Sequence, residues 1–105
     1  YLHVDELIDA MLFICNNASE NVNIFNIGPD DEGVTVKFIA EQVVEVVSKN
    51  AVITFGKEDR GWVGDVPKFV YAIDKLRLLG WEPRIHSSDA IRRSIIQIVA
   101  QETAK

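Results

Sequence analysis

Apolar residues near the start of the chain recur with the period of a helix. After a short apolar run at positions 1–4, which is typical of the end of a strand, Asp5 stands where a helix N-cap is expected. The apolar positions that follow form a stripe with a second row beside it: Leu7, Met11 and Ile14, then Ile8, Leu12 and Cys15. The pattern predicts a helix that begins after Asp5, is buried on most of its circumference and ends near Asn16.

Two strands and a second helix are predicted in the middle of the chain. Residues 22–27 have the composition of a strand, and a run rich in turn formers follows at 28–33. Residues 36–48 contain many β-branched side chains, which suit a strand, but their apolar positions keep helical spacing and Thr35 can cap the start. Those apolar positions are 36, 39, 40, 43 and 47. A helix is therefore expected at 36–48, with a short strand after it at 51–55.

The last part of the chain is predicted to hold a loop and two helices. The loop covers 56–67 and contains three glycines. A short helix over 74–79 should stop at Gly80 in a Schellman motif. A serine, Ser87 or Ser88, should cap the final helix, whose predicted buried face is Ile91, Ile95, Ile98 and Val99. The order of elements, βαβαβ, a loop and then αα, indicates a mixed α/β fold with parallel crossovers.

Composition narrows the classes of partner. The 105 residues carry a net charge of −5, which opposes non-specific binding to nucleic acid or to anionic lipid. The single Cys15 excludes an intramolecular disulfide and a thiolate zinc site, and neither His3 nor His86 has a partner at metal-ligand spacing. No apolar run approaches the ~18 residues of a membrane span. We therefore expect one small cytoplasmic domain without a metal site, a nucleic-acid partner or a membrane partner.

Four short motifs follow one another along nearly the whole chain. They are YLHVDE at 1–6, IFNIG at 24–28, GDVP at 64–67 and LGWEP at 79–83. In this order they resemble the C-terminal portion of extended short-chain dehydrogenases/reductases, the NAD-dependent sugar-nucleotide epimerase/dehydratase family that includes the UDP-glucose 4-epimerases. The resemblance implies an α/β fold over residues 1–105, in which a Rossmann-type sheet edge at 22–27 adjoins a mixed α/β substrate-binding lobe.

The resemblance also implies that catalysis depends on a part of the parent enzyme other than this chain. Catalysis in this family needs a glycine-rich loop that holds NAD, and neither that fingerprint nor its strand context occurs here. NAD is therefore expected in the dinucleotide-binding half of a parent enzyme, with no cofactor bound by this chain alone. The chain would supply the nucleotide-sugar-binding portion of an epimerase that acts on a UDP-hexose at C4 through transient hydride transfer, and it would be inactive by itself.

Three other functions stay open. The parent could be a sugar-nucleotide dehydratase, decarboxylase or reductase of the same family, a non-catalytic dehydrogenase-like binding protein, or an α/β interaction module with no sugar-nucleotide site. The parent is expected to be a homodimer. The isolated chain is expected to self-associate, because the strand at 22–27 would lose its neighbour and expose unpaired backbone groups and an apolar face.

The candidate substrate-binding residues lie in the loop at 57–65. In typical epimerases a similar loop reads Arg-Pro-Gly-Asp, and its Arg holds the nucleotide diphosphate. Here Trp62 occupies the usual Arg position, and Arg60 stands two residues earlier. We assign Arg60 to the diphosphate and Asp65 to the ribose or to Arg60 itself, with Trp62 and Gly64 completing the site. The alternatives are that Trp62 packs against the protein, that Asp65 and Gly64 only shape the turn, and that the loop is an ordinary solvated surface.

No catalytic residue is assigned. Tyr71 and Lys75 reproduce the Tyr-x-x-x-Lys spacing of the family's catalytic helix, which would put phenol and ammonium on one helical face. This segment follows the GDVP motif and aligns with the substrate lobe, so the match is treated as accidental.

Overall fold

Four helices joined by non-helical segments make up the described chain. The computed structural model describes residues 1–58, 61–64 and 68–105. The helices are α1 (Val4–Asn17), α2 (Val36–Val47), α3 (Asp74–Leu79) and α4 (Ser87–Thr103). Within those ranges none of the helices is long and apolar enough to cross a membrane.

The predicted strands do not pair. Residues 22–27 and 51–55 are not helical, but neither segment forms a strand in the described part of the chain. A strand needs a neighbour that completes its ladder of backbone hydrogen bonds, and among the described residues neither segment takes part in such a ladder. The Rossmann-type sheet edge and the parallel crossovers are therefore not confirmed by this structure.

The core is small and lies between α1, α3 and the turn after α3. Its buried members are Ala10, Leu76 and Trp81, and Phe13, Ile14, Phe25, Ile27 and Leu79 pack against them. The indole Nε1 of Trp81 donates to the Asp9 carboxylate at 3.0 Å, so the polar edge of this buried ring has a partner. Through Phe25 and Ile27 the core also holds the FNIG segment next to α1.

Two predicted helix ends are confirmed. Thr35 caps α2, because its hydroxyl accepts the Phe38 N–H at 3.1 Å. At the end of α3, Gly80 has φ 115°, and the N–H groups of Gly80 and Trp81 return to the Arg77 and Leu76 carbonyls at 2.9 and 3.2 Å. This is the predicted Schellman motif, in which glycine adopts the left-handed conformation without a Cβ penalty.

The predicted cap of α1 is wrong. The helix begins at Val4, and its N-cap is His3, whose imidazole accepts the Asp5 N–H at 3.2 Å. The Asp5 carboxylate instead pairs with Arg93 of α4 at 2.6 Å. A ring nitrogen therefore takes the role that the sequence pattern gave to a carboxylate.

The predicted cap of α4 is also wrong. Ser87 and Ser88 both lie inside the helix, and His86 stands at the N-cap without a side-chain hydrogen bond. The Ser87 N–H is bound instead by the carboxylate of Asp31, at 2.6 Å. A distant turn thus supplies the cap that local residues do not.

Burial of α1 differs from the prediction. Its covered face consists of Glu6 and Ala10, with Phe13 and Ile14 partly buried. The other face is exposed and apolar: Val4, Leu7, Ile8, Met11, Leu12 and Cys15. The helix is therefore not buried on most of its circumference, because the described elements cover only one of its sides.

Helices α2 and α4 pack against each other along part of their predicted faces. In α4, Ile95 is buried as predicted, whereas Ile98 is exposed. In α2 no residue is buried, and Val36, Val43 and Val47 of its predicted face are exposed. Arg92 of α4 joins the two helices, because its side chain donates to the Gln42 amide oxygen at 2.9 Å and lies over the Phe38 ring at 5.2 Å.

Candidate functional site

The four predicted substrate-binding residues divide into two groups. Arg60 and Asp65 lie outside the described residues, so their roles remain predictions. Trp62 and Gly64 lie together, and Trp62 is 70% exposed. A Cβ built on Gly64 would collide with the indole ring of Trp62. The local role of Gly64 is therefore to leave space for the indole, while the ligand roles of both residues stay predictions.

A cavity of about 370 Å³ is lined in part by the residues that follow this loop in the sequence. Its first wall is the segment 68–71, which directly follows the GDVP motif. The second wall comes from the FNIG motif and the turn after it, residues 27–29 and 31–34, and the third is Tyr1 with Leu2. The sequence prediction concentrated on the loop and missed this cavity. The signal that pointed to it was the FNIG motif with its turn-forming run.

The aromatic wall of the cavity rests on a buried glycine. A Cβ added to Gly28 would lie 2.9 Å from the Tyr71 Cβ and closer still to its ring. Tyr71 also packs edge-to-face with Phe69, with ring centroids 4.8 Å apart and an interplanar angle of 63°. The glycine of FNIG is therefore needed because Tyr71 approaches the backbone too closely for any side chain.

The Tyr-x-x-x-Lys match does not form a helical pair. Tyr71 precedes α3, which begins at Asp74, so the expected common helical face is absent. Lys75 donates to the Ile24 carbonyl at 2.8 Å and lies over the Phe25 ring at 4.4 Å. These contacts tie α3 to the FNIG segment.

Asp31 is the most strongly bound polar group of the cavity wall. Its Oδ1 accepts the Ser87 hydroxyl at 2.6 Å and the Gly33 N–H at 2.7 Å, while its Oδ2 accepts the Ser87 N–H at 2.6 Å. Burial by itself raises the pKa of this carboxyl, but the hydrogen bonds from Ser87 and Gly33 lower its pKa overall. Asp31 is therefore ionised at neutral pH and engaged by donors from the chain itself.

The cavity has the chemistry of a binding site. It combines the aromatic faces of Phe69 and Tyr71 with the cationic Lys68 and the carboxylate of Glu32. The described residues contain no group of three or more His, Cys, Asp or Glu side chains that could hold a metal. His3 is buried with its Nε2 at 2.8 Å from the Gln97 amide oxygen, so this imidazole packs and hydrogen-bonds inside the fold.

Known proteins provide an independent comparison. No protein-family model matches the chain. "Probable GDP-L-fucose synthase 1" of Oryza sativa subsp. japonica is 32% identical over 85 residues, which is 81% of this chain and 24% of that protein. "Putative GDP-L-fucose synthase 2" of Arabidopsis thaliana is 33% identical over 94 residues, 90% of this chain and 27% of that protein. These homologues belong to the extended short-chain dehydrogenase family.

The comparison confirms the motif resemblance at the level of this family, but not the subtype. The relatives are named as GDP-L-fucose synthases and not as UDP-glucose 4-epimerases. They imply the α/β fold of short-chain dehydrogenases, which the four helices described here do not display by themselves. The chain spans about a quarter of the length of the relatives it matches.

Proposed function

We propose that this chain is the nucleotide-sugar-binding part of a larger NAD-dependent enzyme of the extended short-chain dehydrogenase family. The observation that carries the proposal is the similarity to GDP-L-fucose synthases, which extends over 81% to 90% of the chain. The names of these relatives make a nucleoside-diphosphate sugar the proposed substrate. NAD or its phosphorylated form would be held by a dinucleotide-binding half, and this chain would be inactive without it.

The roles proposed for individual residues concern the loop at 57–65 and the cavity formed in part by residues 68–71. Arg60 would bind the diphosphate, because guanidinium offers several fixed donors to phosphate oxygens. Asp65 would accept from the ribose or orient Arg60, and Trp62 would offer an aromatic face. The cavity lined by Lys68, Phe69 and Tyr71 is formed in part by the residues that follow this loop in the sequence, and we propose that it holds the part of the ligand beyond the diphosphate.

Two substrates compete within this proposal. A GDP-sugar is favoured by the printed names of the relatives, and the parent would then be an epimerase/reductase, one of the alternatives open from the sequence. A UDP-hexose, with epimerisation at C4, is favoured by the GDVP motif after a loop that resembles the epimerase loop. A homodimeric, cytoplasmic parent is proposed on the family resemblance only.

Calorimetric titration of GDP-L-fucose and of UDP-glucose into the full-length protein tests the proposal. We expect one of them to bind, and Arg60→Ala to lose about 1.5–3 kcal/mol of binding free energy, the size of a hydrogen bond to a charged group. Lys57→Ala is the matched control, because it removes an exposed cation from the same loop. Equal losses of binding free energy in the two variants would show that Arg60 does not bind the diphosphate. A full-length protein that binds neither ligand would favour the non-catalytic binding protein.

A further inference from the structure

We propose that Asp31 is the positioning residue of the cavity. Its hydrogen bonds with Gly33 and Ser87, together with the bond between Ser87 and Tyr1, are called the latch, and they join two walls of the cavity to the start of α4. The proposal rests on the proposed function in one respect, namely that the occupant of the cavity is a nucleotide sugar. The geometry of the latch itself does not depend on that occupant.

The latch begins at the N-terminus of α4. The first N–H groups of a helix have no partner within the helix and need acceptors from elsewhere. The His86 side chain, at the N-cap, makes no capping hydrogen bond, and its Nδ1 lies 3.8 Å from Asp31 Oδ2; Asp31 instead accepts both the N–H and the hydroxyl of Ser87 at 2.6 Å. Ser87 is 1% exposed, so water has little access to these groups. An anionic acceptor at this end is also favoured by the helix dipole.

The same carboxylate shapes the second wall of the cavity. Asp31 Oδ1 accepts the N–H of Gly33 at 2.7 Å, which closes the turn on itself. Gly33 has φ 78°, in the left-handed region, and both residues line the cavity. The conformation of this wall is therefore fixed by the oxygen that also holds α4.

Ser87 extends the latch to the third wall. The nitrogen of Tyr1 donates to the Ser87 oxygen at 3.1 Å, and the hydroxyl passes its single hydrogen on to Asp31. We assign that hydrogen to Asp31 because the carboxylate is charged and lies closer than the Tyr1 carbonyl, at 2.6 Å against 3.2 Å. Tyr1, Ser87 and Asp31 thus form one chain of hydrogen bonds between two walls of the cavity.

Replacement of Asp31 by Asn would break the latch in either amide orientation. The carboxylate faces donors on both oxygens, whereas an amide has one oxygen and one NH2 group. If the NH2 group replaces Oδ2 it meets the Ser87 N–H, and if it replaces Oδ1 it meets the Gly33 N–H. The wall formed by Phe69 and Tyr71 rests on Gly28 and does not depend on this carboxylate. Loss of the latch should therefore alter the shape of the cavity without removing all of its walls.

The experiment compares variants of the full-length protein by two readouts. Affinity for GDP-L-fucose and UDP-glucose is measured by calorimetry, and amide exchange at Gly33 and Ser87 is measured without ligand. We expect Asp31→Asn and Ser87→Ala each to weaken binding about tenfold and to speed exchange at both amides, and Ser87→Thr to restore both properties. Asp30→Asn is the control, because Asp30 is an exposed neighbour that pairs with Arg77 and does not line the cavity.

The outcomes separate a positioning role from a purely structural one. If Asp31→Asn is less stable but the folded variant binds like Asp30→Asn, the positioning role is refuted. If Asp31→Asn does not fold, the pair Ser87→Ala and Ser87→Thr decides, because the hydroxyl is the only group they exchange in the chain of hydrogen bonds. If the wild-type protein binds neither nucleotide sugar, the proposed function fails, and unchanged amide exchange in Asp31→Asn would then overturn the latch as well.

Discussion

Replacement of His3 by alanine should destabilise the protein much more than replacement of Asp5. The His3 ring is 2% exposed and makes two hydrogen bonds that differ in direction. Its Nδ1 accepts the Asp5 N–H at 3.2 Å, so the hydrogen of the neutral ring lies on Nε2, which donates to the Gln97 oxygen at 2.8 Å. His3 therefore caps α1 and also connects it to α4.

The expected cost is a sum of three contributions. Loss of an N-cap costs about 1 kcal/mol, and loss of the hydrogen bond to Gln97 costs about 1 kcal/mol. The empty space left by a buried ring adds about 1–2 kcal/mol. His3→Ala should therefore lose about 3–4 kcal/mol, a large fraction of the ~5–15 kcal/mol that stabilises a typical domain. Asp5→Ala loses a solvent-exposed pair with Arg93, for which about 0.5–1 kcal/mol is expected.

The free energy of unfolding of both variants is measured by urea unfolding, followed by far-ultraviolet circular dichroism under the same conditions. His3→Asn is the informative third variant, because its side-chain oxygen can accept the Asp5 N–H and should recover about 1 kcal/mol of the cap. The reasoning would be refuted if Asp5→Ala cost as much as His3→Ala, since the carboxylate and not the imidazole would then be the cap.

Two further predictions concern stability. Gly80→Ala should lose about 1–2 kcal/mol, because Gly80 has φ 115° and a Cβ is disfavoured there; Gly56→Ala, where an added Cβ meets nothing within 4 Å, should change the midpoint of urea unfolding far less. Because the pKa of Asp31 is lowered in the folded state, the folded protein binds this proton less readily than the unfolded chain does. The ionised Asp31 carboxylate therefore stabilises the fold fully above its ordinary pKa of 3.8, and this stabilisation is lost as the pH falls below 3.8 through the folded-state pKa. Thermal unfolding of wild type and Asp31→Asn between neutral and acid pH checks this, and an equally steep acid loss in both proteins would contradict it.

The features that the sequence predicted correctly depend on neighbours along the chain. The Thr35 cap reaches Phe38, three positions away, and the Gly80 motif closes on carbonyls within the preceding turn. The limits of α2 and α3 were predicted closely for the same reason. Such signals involve only a few adjacent residues, and composition and spacing specify them without knowledge of the tertiary structure.

The features that the sequence did not predict depend on distant partners. Asp31 and Ser87 are 56 positions apart, and His3 and Gln97 are 94 positions apart. The Asp31–Ser87 pair replaced the local serine cap that the pattern favoured, and the Gln97 contact holds the His3 ring that caps α1. A helix end selects an acceptor by geometry and burial, so a remote side chain held by the fold can displace the nearest suitable one. The cavity was missed for the same reason, since its walls come from three separate segments.

The apolar faces of α1 and α2 show what periodicity can establish. Period 3.6 predicted both helices correctly, yet Met11 and Leu12 of α1 and Val36 and Val47 of α2 are exposed. Periodicity identifies a face that some neighbour should cover, without specifying whether the neighbour lies within the same 105 residues. Under the proposed function, the neighbour that covers these faces would belong to the rest of the parent enzyme. We therefore still expect the isolated chain to self-associate through these apolar faces. A sedimentation experiment that shows only monomer at high concentration would contradict this expectation.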